Sequence, residues 1–586
     1  MIDKERSINK FRQIWTEVRW MVLGVIWLTS LIMGYAGFAR YAQDHALDWT
    51  LSDMLYRTLQ LVILESGSLS QRVNPILDIA RFLLPALTIF TVLQALMLIF
   101  QEQLQWLRLW RLRDHIIVCG VGRKGGYLSA KLLEQGYKLV MIDNYASQEK
   151  MSELRQRGGI ILHADATDRD VLLRARIQRA SHVICLLGDD YHNLQIALQS
   201  YHLTRASRSK HMTCVVHLIS AGLLEMLKNS EFCTHPDESF KLQVFNPYER
   251  TARWLIAQGA DDYSDDPPGK KADHIVIIGL GRLGKSIAVQ AAYNWHLHKS
   301  RTKLQITVID QDAEQKSAAM LQQYPRMADD CQIQPQALDI EASEHFHRAL
   351  QTAAAEAPIK RLYICLGDAL LSLQVCLEIL RNPTFKTIPV YVRIDAESGL
   401  IGLLDKPLGI DASASNVKLF DLIEQSCSVE LLLGGTLELL AHSLHEHYLT
   451  EGSSKKAVRS GRQHWQQLSD DQKEENRRQA QRIQHLLAEE GYRVSPLFDW
   501  DAADRQFDEG ELLRMARREH EHWRQAKQAQ GWRFGNVRDD DRRIHPDLVD
   551  WDQLPQREKD KNLYFVRHLP QLLAQIGFQL DKVINN

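Results

Sequence analysis

The sequence predicts a multi-domain chain: an α-helical membrane unit with two spans, two tandem α/β domains, and a mainly α C-terminal module. Three observations predict it. Two long apolar runs lie near the N-terminus. One glycine pattern occurs twice, in HIIVCGVGRKGG from His115 and in HIVIIGLGRLGKS from His274. After about Thr450 the chain becomes rich in charge and tryptophan, with amphipathic helical spacing. The repeat continues downstream: HVICLLGDDYHNLQIAL from His182 pairs with LYICLGDALLSLQVCL from Leu362, and VVHLI from Val215 with VYVRI from Val390. A period of about 160 residues is that of a domain, not of a solenoid unit.

The 586 residues leave room for several domains. A net charge of −2 offers no global basic field, so no nucleic-acid partner is expected. The eight cysteines, Cys119, Cys185, Cys214, Cys233, Cys331, Cys365, Cys376 and Cys427, form no C-x-x-C pair. Reduced core thiols facing a cytosolic compartment are expected, with no metal site.

Residues 20–101 form the membrane unit, between a cytoplasmic arm (1–19) and a linker (102–113). Trp20 to Ala39 is uncharged and long enough to cross a hydrocarbon core. It is too long for the apolar region of a cleaved signal peptide, and no clear cleavage site follows. The second span runs from about Ile76 to Phe100 and carries Asp78, Arg81 and Pro85 near its start. Lys4, Arg6, Lys10, Arg12 and Arg19 precede the pair, and Arg108, Arg111 and Arg113 follow it, against Arg40, Arg57 and Arg72 in the connecting loop. This asymmetry places both termini in the cytoplasm, beneath an inner or plasma membrane. The loop stretch SDMLYRTLQLVILESG from Ser52 is amphipathic, too short to span, and ends at Glu65, Ser66 and Gly67. Two readings fit it, a re-entrant pore helix or an interfacial helix outside the membrane. In the first, a ring of Glu65 carboxylates from several subunits selects cations. The layout resembles the two-helix potassium channels, but LESGSL stands where their T-V-G-Y-G filter would be. Two helices cannot enclose a pore, so the resemblance implies a homo-oligomer, a tetramer.

The first α/β domain is placed at 114–250 and the second at 273–430, with a linker at 251–272 and a connector at 431–459. In the first copy Gly120 permits a tight turn, Gly122 lets a phosphate approach the backbone, and Gly125 lets the helix pack on the sheet. The amides at the helix N-terminus then face the phosphates. KLVMID follows and ends at Asp143, spaced to accept hydrogen bonds from ribose hydroxyls, and HADATD brings Asp165. In the second copy the matching residues are Gly279, Gly281, Gly284 and Asp310, while ALDIEA with Asp339 replaces HADATD. GLGRLGKS also satisfies the P-loop string, with Lys285 and Ser286 as phosphate and magnesium ligands. The first copy reads GVGRKGGY at that place and lacks G-K-S, which favours the dinucleotide turn in both.

Both copies resemble the TrkA-N, or RCK (regulator of potassium conductance), domains, on G-x-G-R-x-G, Asp143 and HADATD. The resemblance implies Rossmann-like domains that bind NAD(H) or another adenine nucleotide as a regulatory ligand and work a gate. It draws Arg123 and Arg282 into the candidate ligand sites. A Rossmann scaffold kept only for assembly is the alternative for either copy. Neither copy offers a nucleophile, acid and base in one cluster, so no enzyme is expected.

Residues 460–586 predict helices over 470–490, 511–530 and 560–577. This segment is similar to the ryanodine-receptor-type (RyR) domain, through NRRQA from Asn476, MARREHEHW from Met515, GWRFG from Gly531, HPDLVDWDQLP from His545 and LPQLLAQIGF from Leu569. Trp523, Trp532 and Trp551 are candidates to stack on a base, with Arg538 and His545 meeting a phosphate. The alternative for each tryptophan is the core. His520 and His522 are two apart on a helix, the wrong spacing for a zinc pair.

The expected function is a nucleotide-responsive ion channel or channel-like effector carrying cations, potassium among them. Its partners are the lipid bilayer, further copies of itself and a nucleotide. RyR-type modules beside membrane effectors suggest, by analogy, a stress or phage-defence setting. The rival readings are a non-conducting membrane-anchored sensor or scaffold and an NAD(P)-dependent oxidoreductase.

Overall fold

The computed structural model describes residues 2–65, 69, 72–99, 108–207, 211–228, 239–258, 273–298, 302–340, 343–395, 416–451, 465–539 and 541–582. The chain forms two compact units, Met1–Arg111 and Leu112–Asn586.

In the first unit, helices α1 (Ile2–Asp44) and α3 (Pro75–Ile99) flank the short helix α2 (Leu51–Leu61). Two stretches, Met21–Asp44 and Pro75–Leu96, are long and apolar enough to cross a membrane. α1 and α3 meet through bare backbone: a Cβ on Gly37 would lie 2.8 Å from the Leu77 Cα. Small residues allow such contact where lipid leaves no hydrophobic force between helices. Asn74 secures the crossing by donating to the Gly37 carbonyl at 2.9 Å and accepting from the Leu77 amide at 2.9 Å. Phe38, Tyr41, Leu61, Leu77, Ala80 and Leu84 are buried between the helices. Met21, Leu28, Ile32, Phe82 and Ile89 point outward.

α2 starts at a reciprocal Thr50–Asp53 cap, buries Thr58 and Leu61, and leaves Leu55, Tyr56 and Leu59 exposed. At 11 residues it cannot span a bilayer. Past its end at Leu61 the chain turns at Leu64, whose φ of +66° lies outside the helical region, and Glu65 follows exposed. Ser66 and Gly67, the other two candidate pore residues, lie outside the described residues.

The second unit begins with a six-stranded parallel sheet in the order β3-β2-β1-β4-β5-β6. The strands are β1 (His115–Cys119), β2 (Leu139–Ile142), β3 (Ile160–Leu162), β4 (Ala180–Cys185), β5 (Met212–His217) and β6 (Phe240–Phe245). The second copy supplies β7 (His274–Ile278), β8 (Leu304–Asp310), β9 (Cys331–Ala337), β10 (Ile359–Ile364), β11 (Val390–Arg393) and β12 (Val417–Phe420). Their order, β12-β11-β10-β7-β8-β9, is the same doubly wound Rossmann arrangement. β1 and β7 are buried at every position, which is why their sequences are continuous apolar runs rather than alternating ones.

The copies exchange helices. Helix Pro247–Ala257 follows β6, yet Ala252, Leu255 and Ile256 lie in the core of the second copy. Reciprocally, Cys427, Val429 and Leu432 follow β12 and lie in the core of the first. Each departure starts at a matching N-cap: Asn246 accepts from the Tyr248 and Glu249 amides, and Asp421 from the Ile423 and Glu424 amides. Residues 251–257, expected as linker, are therefore helix and half of an interface.

Helix Val429–Glu451 then serves two cores. Its first turns pack on the first copy, and its later residues Leu440, Ala441 and Leu444 join the core of the C-terminal module. Between them Gly435 adopts φ +55°, with no room for a Cβ against Gln243. The module itself packs helices Asp470–Glu489, Glu509–Ala529 and Gln556–Gln575 around Leu486, Met515 and Leu569. The antiparallel pair Tyr492–Pro496 and Phe578–Lys582 completes it. It docks on the second copy through Tyr293 and Trp500, edge to face at 5.5 Å, and through Arg326 gripping Asp501 with both nitrogens. The seven described cysteines are buried and unpaired.

The exchange makes a crossed prediction. Leu432→Ala and Leu255→Ala should each cost about 2–5 kcal/mol, as buried leucine truncations do. Hydrogen exchange should then show lost protection in β1 and β2 for Leu432→Ala, and in β7 and β8 for Leu255→Ala. Loss confined to the copy that carries each substitution in sequence would refute the exchange.

Candidate functional site

Each copy turns from its first strand into its first helix through a glycine loop. Gly120 and Gly279 have φ of +95° and +90°, a region that glycine enters without strain. A Cβ on Gly125 would fall 1.8 Å from the Gly120 carbonyl oxygen, and one on Gly284 2.1 Å from that of Gly279. These two positions admit no side chain. Gly122 and Gly281 differ, because a Cβ there would meet nothing within 4 Å. Both are helix N-caps without a side-chain cap, so the first-turn amides of helices Arg123–Glu134 and Arg282–Leu297 have no cap acceptor. Open space before an uncapped helix N-terminus suits an anion.

Asp143, placed by the sequence at a ribose, is nearly buried and holds the loop. One oxygen accepts from the Val121 amide at 2.5 Å, the other from Tyr145 and Ala146 at 2.6 and 2.8 Å. Asp310 does the same with Leu280 at 2.7 Å and Asp312 at 2.9 Å, and also takes Lys316 at 2.6 Å. Burial alone would raise the Asp310 carboxyl, but Lys316 and the two amides outweigh it and hold it below its usual range. Asp165 is exposed and turns inward on Thr167, whose amide and hydroxyl lower its pKa. Asp339 is exposed and accepts from Gln311 at 3.3 Å.

The two motif arginines reach toward the opposite copy. Arg123 pairs with Asp395, just past β11, at 2.5 Å. Arg282 lies over the Tyr248 ring, on the helix the first copy lends to the second. Lys285, the would-be P-loop lysine, reaches Gln323 at 2.5 Å and the Tyr324 ring, away from its glycine loop.

Two lysines near the first loop, Lys150 and Lys124, carry no signal of their own in the sequence. Lys150 donates to the Gly122 carbonyl at 3.3 Å. Lys124 sits 2.8 Å from His217, which burial first and Lys124 second push down to about 4, so that histidine is neutral. Lysines in surface helices are common, and only the fold turns these two toward the loop.

In the C-terminal module the candidate residues separate. Trp551 is buried in the core. Trp523 and Trp532 are half-buried, with His545 at 5.0 and 6.2 Å from them, edge to face. Arg538 is exposed. A cavity of about 290 Å³ opens beside Trp523, with Arg482 and Lys527 among its lining residues. Glu519, one turn from Trp523, is 5% exposed, and burial pushes its carboxyl up to about 7, against the smaller pull of Arg482.

Two predictions follow from this geometry. Gly122→Ala should fold with nearly unchanged stability, whereas Gly125→Ala should destabilise the first copy strongly, as read by thermal unfolding. Equal melting temperatures would refute the loop's packing. Glu519 binds its proton more tightly folded than unfolded, so its contribution is full below about pH 4.5 and is lost as pH rises through 7. That is on the order of 3 kcal/mol. Glu519→Gln should therefore gain stability relative to wild type between pH 5 and pH 8. A constant difference in melting temperature across that range would overturn the assignment.

Comparison with known proteins finds two domain profiles in the chain. The TrkA-N domain profile matches residues 116–221, and the RyR domain profile matches residues 511–582. The chain is 32% identical over 96 residues to "Potassium channel protein 1" of Methanocaldococcus jannaschii, covering 16% of this chain and 28% of that protein. It is 30% identical over 115 residues to "Glutathione-regulated potassium-efflux system protein KefC" of Salmonella paratyphi B, covering 19% and 18%. The matched regions thus span less than a third of these curated relatives. Among solved structures, the GsuK channel bound to NAD aligns over 75% of this chain and 86% of its own, at 14% identity and a TM-score of 0.38. The human SLO3 gating ring aligns over 57% and 84%, at 11% identity and a TM-score of 0.37. The chain carries a TrkA-N domain and an RyR domain, together with two helices of membrane-spanning length and composition.

Proposed function

We propose that this chain is a nucleotide-responsive membrane channel, or channel-like effector, for cations. The observation that carries the reading is the pair of open, uncapped glycine loops on a chain that also holds a two-span unit. An adenine nucleotide such as NAD(H) or ADP is the regulatory ligand. Its phosphates lie against Gly122 and the amides that follow, with Lys150 beside them. The second loop is the weaker site, since Lys316 is already engaged by Asp310. Asp143 and Asp310 shape the loops and lie at the ribose end of each.

The ligand acts by differential binding. Arg123 bridges the copies through Asp395, and a phosphate at the first loop competes for the same guanidinium. Occupancy then biases how the copies sit together, and that bias reaches the spans through residues 101–114. Four subunits surround the pore, and both termini face the cytoplasm. A conducting role for Glu65 draws support from its exposure at the end of α2. The lost potassium filter favours the second reading, a membrane-anchored sensor that does not conduct.

Reconstituted liposomes tested with a nucleotide panel decide between them. Nucleotide should evoke cation flux, and Gly122→Asp should abolish the response by placing a carboxylate where a pyrophosphate approaches. Lys285→Ala should leave the response intact. Nucleotide hydrolysis dependent on Lys285 would restore the P-loop reading. Glu65→Gln should lower flux or change ion preference while keeping the oligomer, since the amide retains shape and removes charge. Identical conduction would put Glu65 outside the pore, and a silent wild type under every nucleotide would leave the sensor reading.

A further inference from the structure

The C-terminal module contains polar groups that its own fold does not satisfy. The Glu519 Oε2 is buried without a hydrogen-bond partner, on a residue only 5% exposed. The Arg482 Nε is likewise buried without a partner. Buried polar atoms left unmet are costly, and the Arg482 atom belongs to a side chain that lines a cavity. Arg482 lines the cavity of about 290 Å³ and acts electrostatically on Glu519.

The rest of the lining supplies a specific chemistry. Trp523 provides an aromatic wall, held by His520 stacked at 5.8 Å and His545 edge-on at 5.0 Å. Opposite it, Gln472, Asn476 and Gln479 recur at helical spacing on one face of helix Asp470–Glu489. Side-chain amides carry both donors and acceptors, as the edge of a nucleobase does. Lys527, one turn beyond Trp523, provides a cation that already holds Glu475 at 2.8 Å. A wall for stacking, amides for an edge and the Arg482 guanidinium for an anion make up a nucleotide site. A cavity of about 290 Å³ stands at the small end of ligand sites, which suits a mononucleotide better than a dinucleotide.

We propose that this cavity, between helices Val429–Glu451, Asp470–Glu489 and Glu509–Ala529, is a separate binding site for a nucleoside monophosphate. The base stacks on Trp523 and reads the amide face, and the phosphate is held by Arg482. His445 adds a connection to the rest of the chain, because it lines the cavity from the helix whose first turns lie in the core of the first α/β copy. The site does not depend on the nucleotide reading of the glycine loops.

The test uses the full chain in detergent carrying Gly122→Asp and Gly281→Asp, so that neither glycine loop contributes. Calorimetric titrations with adenosine, guanosine, cytidine and uridine monophosphates should show saturable binding of at least one, near one per chain. In the same background Trp523→Ala should weaken it at least tenfold, while Trp523→Phe, which keeps an aromatic face, should stay within about threefold. Because Trp523→Ala could disturb folding, Gln479→Ala is the second variant, expected to change the preference among bases with melting temperature unchanged. No binding of any monophosphate at millimolar concentration would overturn the proposal. So would binding indifferent to Trp523→Ala and Gln479→Ala, or inorganic phosphate competing as well as the nucleotide, which marks an anion site without base recognition.

Discussion

The reciprocal exchange of helices between the two α/β copies is the constraint on which the rest of the large unit depends. Each sheet covers one face with a helix from the other copy's sequence, so neither core closes alone. Ala252, Leu255 and Ile256 complete one core, and Val429 and Leu432 the other. At the crossing, the Thr251 hydroxyl donates to the Leu422 carbonyl at 3.4 Å, a buried contact between the two exchanged segments. Burial of apolar area this extensive dominates any surface ion pair, so the copies behave as one body with a seam. The Arg123–Asp395 pair lies across that seam.

The glycine loops share one design and differ in what the neighbouring lysine contacts. In both, an acid at the end of the second strand clamps the loop through backbone amides, which fixes the helix N-terminus without a side-chain cap. In the first copy a lysine then reaches the loop carbonyl, and in the second the corresponding cation is engaged by the clamping acid itself.

Helix Val429–Glu451 ties this pair to the C-terminal module. Its kink at Gly435 lets one helix belong to two cores, and the buried Glu438 anchors the distal half to Arg477 through two hydrogen bonds of 2.6 and 2.9 Å. A charge that is nearly buried holds position only when paired, so this contact sets the angle of the distal half. His445 of the same helix lines the adjacent cavity, so a ligand bound there would have a physical route to the α/β pair.

Local pattern determined much of this protein. Glycine spacing demanded a turn with no side chain at Gly125 and Gly284, continuous apolar runs demanded buried parallel strands, and the repeat demanded two sheets of one topology. Those features are legible because they follow from backbone sterics and periodicity within a few residues. The echo of Phe245-Asn246 in Phe420-Asp421 was there to be read as two equivalent helix starts, but neither stretch says which sheet its helix will cover. That choice belongs to tertiary structure, as do the partner of Arg123, the loop role of Asp143, the separation of Trp551 from Trp523, and the approach of Lys150 to Gly122. In each case the deciding contact joins residues distant in sequence, and a side chain's chemistry fixes what it can bond with while only the assembled core fixes what it meets.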